Sequence, residues 1–231
     1  MRYFPFVLAA TLTVGFSATH ANAQDKHVTT INQCTVIDKP GAYEVGKVIQ
    51  AGNLNPVPIY PGISACIFIS ADFVTLDLGG NTIIGPGSGG SVGVLAAQDR
   101  KAVRIHSGNV TNFGAGVVNG ASEGRTEYIS AFDNVSGGIV VATPIPNSRA
   151  AAQVIGNIAN RNGGNGIQVE ANARVIGNVA ADNGNFGIIV IGCPSVVLEN
   201  LASNNTPGRD LAVGVPNCTR SHNSPNIGDL P

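Results

Sequence analysis

The chain has 231 residues, of which only 12% are charged, and a formal net charge of -1 with Lys and Arg scattered along it. That balance excludes an electrostatic grip on nucleic acid, which needs a basic face. With 30 glycines and no tryptophan the composition is skewed, but apolar residues recur regularly between the glycines, so an ordered repetitive fold is expected rather than a low-complexity chain.

Residues 1–23 read as a signal peptide. Arg2 gives a positively charged start, Phe4 to Phe16 is mostly apolar, and Ala21-Asn22-Ala23 places small residues where a signal peptidase reads them. Cleavage leaves Gln24 as the new terminus. The apolar run is too short to cross a bilayer comfortably, so no membrane span is expected after cleavage. The destination is secreted or periplasmic. Four cysteines follow, Cys34, Cys66, Cys193 and Cys218. An even number in an oxidising compartment favours two disulfides. Three pairings are open. Cys34–Cys66 with Cys193–Cys218 is favoured, because each staples one end of the chain and leaves the middle uncrossed. Without a Cys-x-x-Cys unit, neither a structural zinc site nor redox catalysis is expected.

Residues 24–65 contain Pro40-Gly41, Pro56, Pro58 and Pro61-Gly62. They read as an irregular N-terminal cap that hides the first strand edge. Residues 66–206 read as coils. Ala152-Gln153-Val154-Ile155-Gly156-Asn157-Ile158-Ala159 returns as Ala173-Arg174-Val175-Ile176-Gly177-Asn178-Val179-Ala180, and again as Ser195-Val196-Val197-Leu198-Glu199-Asn200-Leu201-Ala202. Between these copies lie Gly166-Ile167-Gln168-Val169 and Gly187-Ile188-Ile189-Val190. Short β-like runs separated by Asn/Gly turns, repeating about every 22 residues, predict a solenoid. The fold class is all-β: a right-handed parallel β-helix solenoid with irregular N- and C-terminal caps. Residues 207–231, polar and proline-containing, form the C-terminal cap or tail.

Phe73-Val74-Thr75-Leu76-Asp77-Leu78-Gly79-Gly80-Asn81-Thr82-Ile83-Ile84-Gly85 resembles the first coil of pectate-lyase-like β-helix proteins. Val154-Ile155-Gly156-Asn157 and Asn162-Gly163-Gly164-Asn165-Gly166-Ile167-Gln168-Val169 resemble the parallel β-helix repeat. The resemblance covers about Phe73 to Asn205 and speaks for the fold. For activity it implies a calcium-bridged acidic polysaccharide and a basic residue that takes the proton beside a uronic carboxylate. No catalytic motif of the family matches, and no compact Asp/Glu cluster supplies the oxygens that calcium needs.

Strand alternation points Leu76, Leu78, Val103, Ile105, Val154, Val169, Val175, Ile188, Val190 and Val197 into the bore. Asn157, Asn178 and Asn200 share a turn position and are expected to form a ladder. Outside, aligning the coils places Asp77, Arg104, Tyr128, Gln153 and Arg174 in one polar column, a substrate-binding row at rung spacing. Arg104, Lys101 and His106 are the candidate proton acceptors. Two outer stripes are apolar: Leu95, Val118, Val140 and Ile189, and Ile155, Ile176 and Leu198. Stacked in this way they form a continuous patch, which is expected to be covered by the insertion from Ala142 to Ala151 or by a terminal arm, or to serve as a homo-oligomer interface. The function expected is binding of an envelope or extracellular polysaccharide without catalysis. The alternative is β-elimination on a uronic-acid polymer by a lyase, with calcium as its cofactor, or a related epimerisation.

Overall fold

A computed structural model describes residues 28–142, 152–170, 172–214 and 218–224, with the backbone strand Gly228–Asp229. The signal peptide expected over residues 1–23 lies outside the described residues, as does most of the insertion after Ala142. The strands wind into a right-handed parallel β-helix. Among the described residues they form two sheets, one of 14 strands (sheet A) and one of 10 (sheet B). Each coil passes through both. All strand pairs are parallel except Asn55–Pro56 against Ser64–Ile69.

Alternation in the strands selects the core. Along Val74–Asp77 and Ala152–Ile155 every second residue is buried. Register stacks Leu76, Ile105, Thr126, Val154, Val175 and Val197 into one inner column. Every residue expected in the bore is fully buried. Each buried aliphatic side chain contributes about 1.5–3 kcal/mol relative to exposure. Thr126 is the polar exception, and Asn119 Nδ2 satisfies it by donating to its Oγ1 at 3.2 Å.

The corners are set by left-handed residues at equivalent positions. One corner carries Ser107, Tyr128, Gly156, Gly177, Glu199 and His222, with φ between 53° and 63°. Another carries Asn112, Asp133, Arg161, Asp182 and Asn204. After Gly156, Gly177, Glu199 and His222 in the first corner, and after Asp133, Arg161, Asp182 and Asn204 in the second, the next residue is an asparagine that turns inward. The expected ladder runs from Asn157 through Asn178 and Asn200 to Asn223, each Nδ2 donating to the next Oδ1 at 2.9 to 3.0 Å. A second ladder, not anticipated from the sequence, runs through Asn134, Asn162, Asn183 and Asn205 and ends on Asp210. Each rung also binds backbone, which satisfies polar groups that the bend takes out of the sheets.

The second ladder explains a glycine column. A Cβ on Gly138 would lie 2.6 Å from the Gly166 carbonyl and 2.8 Å from Asn162 Nδ2, and a Cβ on Gly166 meets Gly187 and Asn183 in the same way. The Asn-x-x-x-Gly spacing of the repeat is therefore a packing requirement.

Two features differ from expectation. Coil structure begins before residue 66: Val28–Ile31 pairs with Gly41–Val45, which pairs with Val74–Asp77. It also continues past residue 206, where Thr219–Ser221 pairs with Val196–Leu198. Prolines and turns there mask short strands whose partners are distant in sequence. The irregular part is narrower. It centres on the segment bearing Val57, Tyr60 and Ile63, which packs on Phe68, Val92 and Leu95 outside sheet B. This segment covers the N-terminal end of the first apolar stripe. Register also places Gln168 between Val140 and Ile189, so the stripe is interrupted. Both expected disulfides are present, Cys34–Cys66 and Cys193–Cys218. Two such bonds are those of an oxidising, non-cytoplasmic compartment.

Candidate functional site

Most of the titratable side chains proposed from sequence meet on the outer face of sheet A. They form two adjacent columns. In the first, Thr75, Arg104, Arg125, Gln153 and Arg174 are in register. In the second, Glu44, Asp77, His106, Glu127, Ile155, Ile176 and Leu198 are in register. The single column expected from sequence is thus divided. Arg104, Gln153 and Arg174 stay together, with Arg125 between them. Asp77 belongs to the neighbouring column and Tyr128 to the corner. The error over Asp77 has a simple origin: a two-residue slip keeps a side chain on the same face, so alternation cannot detect it.

His106 is the centre of the site. Its side chain is 12% exposed, and Nδ1 lies 2.8 Å from Ser107 Oγ and 3.6 Å from Asp77 Oδ1. One rung on, Arg104 Nε donates to Glu127 Oε2 at 2.7 Å, with the Glu127 side chain only 10% exposed. Burial holds the imidazole below the ordinary histidine value of 6.5; Asp77 opposes this, Arg104 reinforces it and Glu127 opposes it again. The result is a neutral imidazole at pH 7 between two carboxylates and beside a guanidinium. Such a group is suited to accept a proton. Lys101, the third candidate acceptor, stands apart. It is exposed at the preceding corner, where its backbone bridges Ser122.

Tyr128 follows Glu127 directly and is 60% exposed, with φ at 55°. For a residue bearing a Cβ this conformation costs about 1–2 kcal/mol. Its ring lies over the next corner, where a Cβ on Gly156 would approach Cε1 to 2.7 Å. The same positive φ recurs at Ser107, Glu199 and His222, so the bend belongs to the coil corner, and the exposed ring is what distinguishes Tyr128.

These carboxylates do not fit a calcium cage. Glu127 is engaged by Arg104, and Asp77 Oδ1 accepts the Gly79 N–H at 2.8 Å. Among the described residues no three or more His, Cys, Asp or Glu side chains gather as a metal site requires. The apolar cavity of about 230 Å³ on sheet B, beside Tyr60, Leu95, Val118 and Ala142, has no titratable group in its lining except Tyr60.

Fold and site together define a parallel β-helix protein with a charged row on one sheet face. No family model matches the sequence, and no curated protein matches it. Among solved structures the chain is similar to the A-module of the mannuronan C-5 epimerase AlgE6 from Azotobacter vinelandii. The TM-score is 0.51 at 15% identity, over 87% of this chain and 65% of that one. It is also similar to the Dettilon tailspike protein, with a TM-score of 0.45 at 15% identity over 85% of this chain and 47% of that one. The chain thus spans under two thirds of the length of either. At these identities the likeness is one of fold.

Proposed function

We propose that this protein holds an acidic polysaccharide along the outer face of sheet A. The observation that carries this reading is the column Arg104, Arg125, Gln153 and Arg174. Rungs about 4.8 Å apart repeat three guanidinium groups and an amide along a line. Guanidinium groups match carboxylates in geometry as well as charge. The likeness in fold to a mannuronan C-5 epimerase module agrees with a polysaccharide partner.

The test is affinity electrophoresis in gels containing polyuronates or a neutral glucan. Retardation by the polyuronates alone, weakened in Arg125→Ala and Arg174→Ala, is the expected result. Equal mobility in both gels removes the reading.

His106 favours a second reading, in which the bound polymer is altered. The neutral imidazole takes the C5 proton beside a uronic carboxylate, and Arg104 stands where it can stabilise the charge that develops on that carboxylate. The electron pair left at C5 either expels O4, breaking the glycosidic bond and forming a C4–C5 double bond while the departing oxygen takes a proton from solvent water, or takes a proton from solvent water on the opposite face; in both cases the imidazolium then returns its proton to solvent. The first outcome is a lyase and the second an epimerase. Ultraviolet absorbance of unsaturated ends detects the first. Solvent deuterium at C5 detects the second. Loss of both signals in His106→Gln ties the chemistry to this residue, and neither signal in the native protein leaves retention alone.

A further inference from the structure

Beyond the His106 cluster the corner of the solenoid changes character. Along the left-handed corner column Tyr128 is followed by Gly156 and Gly177, and then by Glu199. Gly156 is required by the ring above it. Gly177 is not required by packing, since a Cβ built on it meets nothing within 4 Å. The surface above Gly177 is therefore open. Along the chain this gap is flanked by the half-buried Ile176 before the bend and the half-buried Val179 after it, both in strands of sheet A. It lies two rungs, about 10 Å, from Tyr128. The phenol ring closes one end and the exposed Glu199 the other.

We infer that Tyr128 and the Gly177 gap form a pyranose subsite, in which one sugar ring of the polymer lays its C–H face on the phenol and settles over Gly177. The inference rests on the polysaccharide reading above and deepens it. Three observations support it independently of charge. The ring is exposed at a corner whose next two equivalents are glycines. The gap has apolar flanks and no side chain in its floor. The same column that carries Asp77, His106 and Glu127 continues as Ile155, Ile176 and Leu198, so a polymer leaving the charged cluster runs directly alongside the gap. A pyranose offers both faces this surface asks for: C–H groups toward the ring and hydroxyls toward Glu199 and solvent. The subsite makes the grip depend on ring shape as well as carboxylate charge.

Two substitutions test this without threatening the fold. Tyr128→Gly removes the ring and relieves the positive φ. Gly177→Asn fills the gap with a residue that tolerates the same backbone conformation. Tyr128→Phe is the control that keeps the ring. Affinity is measured by calorimetry with polyuronate oligomers long enough to span the outer face, and melting temperature is followed alongside. The expected result is about tenfold weaker binding in Tyr128→Gly and in Gly177→Asn, native affinity in Tyr128→Phe, and no fall in melting temperature. Native affinity in both Tyr128→Gly and Gly177→Asn, with binding still weakened by Arg125→Ala, overturns the subsite and spares the charged row. No binding by the native protein overturns both.

Discussion

His106 shows how the surroundings of one residue change its affinity for a proton. Free histidine titrates near 6.5; here burial lowers that value, and the carboxylates of Asp77 and Glu127 oppose the shift without cancelling it. The folded protein thus binds the imidazole proton more weakly than the unfolded chain does. Stability from this group is complete above pH 6.5 and is lost as pH falls from 6.5 toward the folded value. Titration of the His106 ring protons by NMR should give a midpoint below 6.5, and Glu127→Gln should lower it further by removing an opposing charge. A midpoint at or above 6.5 contradicts the burial argument. The residue itself was legible as a candidate base. Its two carboxylate neighbours were not read as partners, because they come from other coils, and only register brings them to the same place.

At the scale of elements, the asparagine ladders do what hydrogen bonds between adjacent strands do elsewhere, but at bends where the backbone turns away from its neighbours. Asn178 is typical. Its Oδ1 accepts from the Asn157 backbone N–H and from Asn157 Nδ2, while its Nδ2 donates to the Val154 carbonyl and to Asn200 Oδ1. Asn178→Leu leaves buried donors and acceptors on two neighbouring coils without partners. A loss of about 3 kcal/mol or more in urea unfolding is expected. The same change at an exposed polar position such as Gln98 should cost far less. The first ladder was readable because Gly-Asn or Glu-Asn recurs at one point of an obvious repeat. The second was hidden because Asn134 and Asn205 sit in coils whose flanking residues diverge. The glycines that make room for it look in sequence like ordinary turn residues.

As a whole molecule, the protein behaves as a stack in which each coil contacts only its neighbours, so its ends are its weakest points. The disulfides lie there. Cys34–Cys66 closes 32 residues and Cys193–Cys218 closes 25. Loops of that size are worth about 3–4 kcal/mol each in the chain-entropy account. Reducing Cys193–Cys218, or replacing both cysteines with serine, should free the last coil alone. Hydrogen exchange should quicken in Thr219–Ser221 while Ile139–Val141 keeps its protection. Loss of protection at both places together would mean that the stack unfolds as a single unit. The architecture and these bonds were visible in the sequence because they depend on period and spacing. The two-column site was not, because coils of unequal length make the alignment of outer residues ambiguous while leaving the inner pattern intact.

Each asparagine rung accepts from the coil before it and donates to the coil after it in the same geometry. A joint that is identical at every level keeps no record of how many levels there are. A whole coil can therefore be copied or lost in the gene without leaving any surviving rung short of a partner. The extent of the outer face is open to inheritance in steps of one coil.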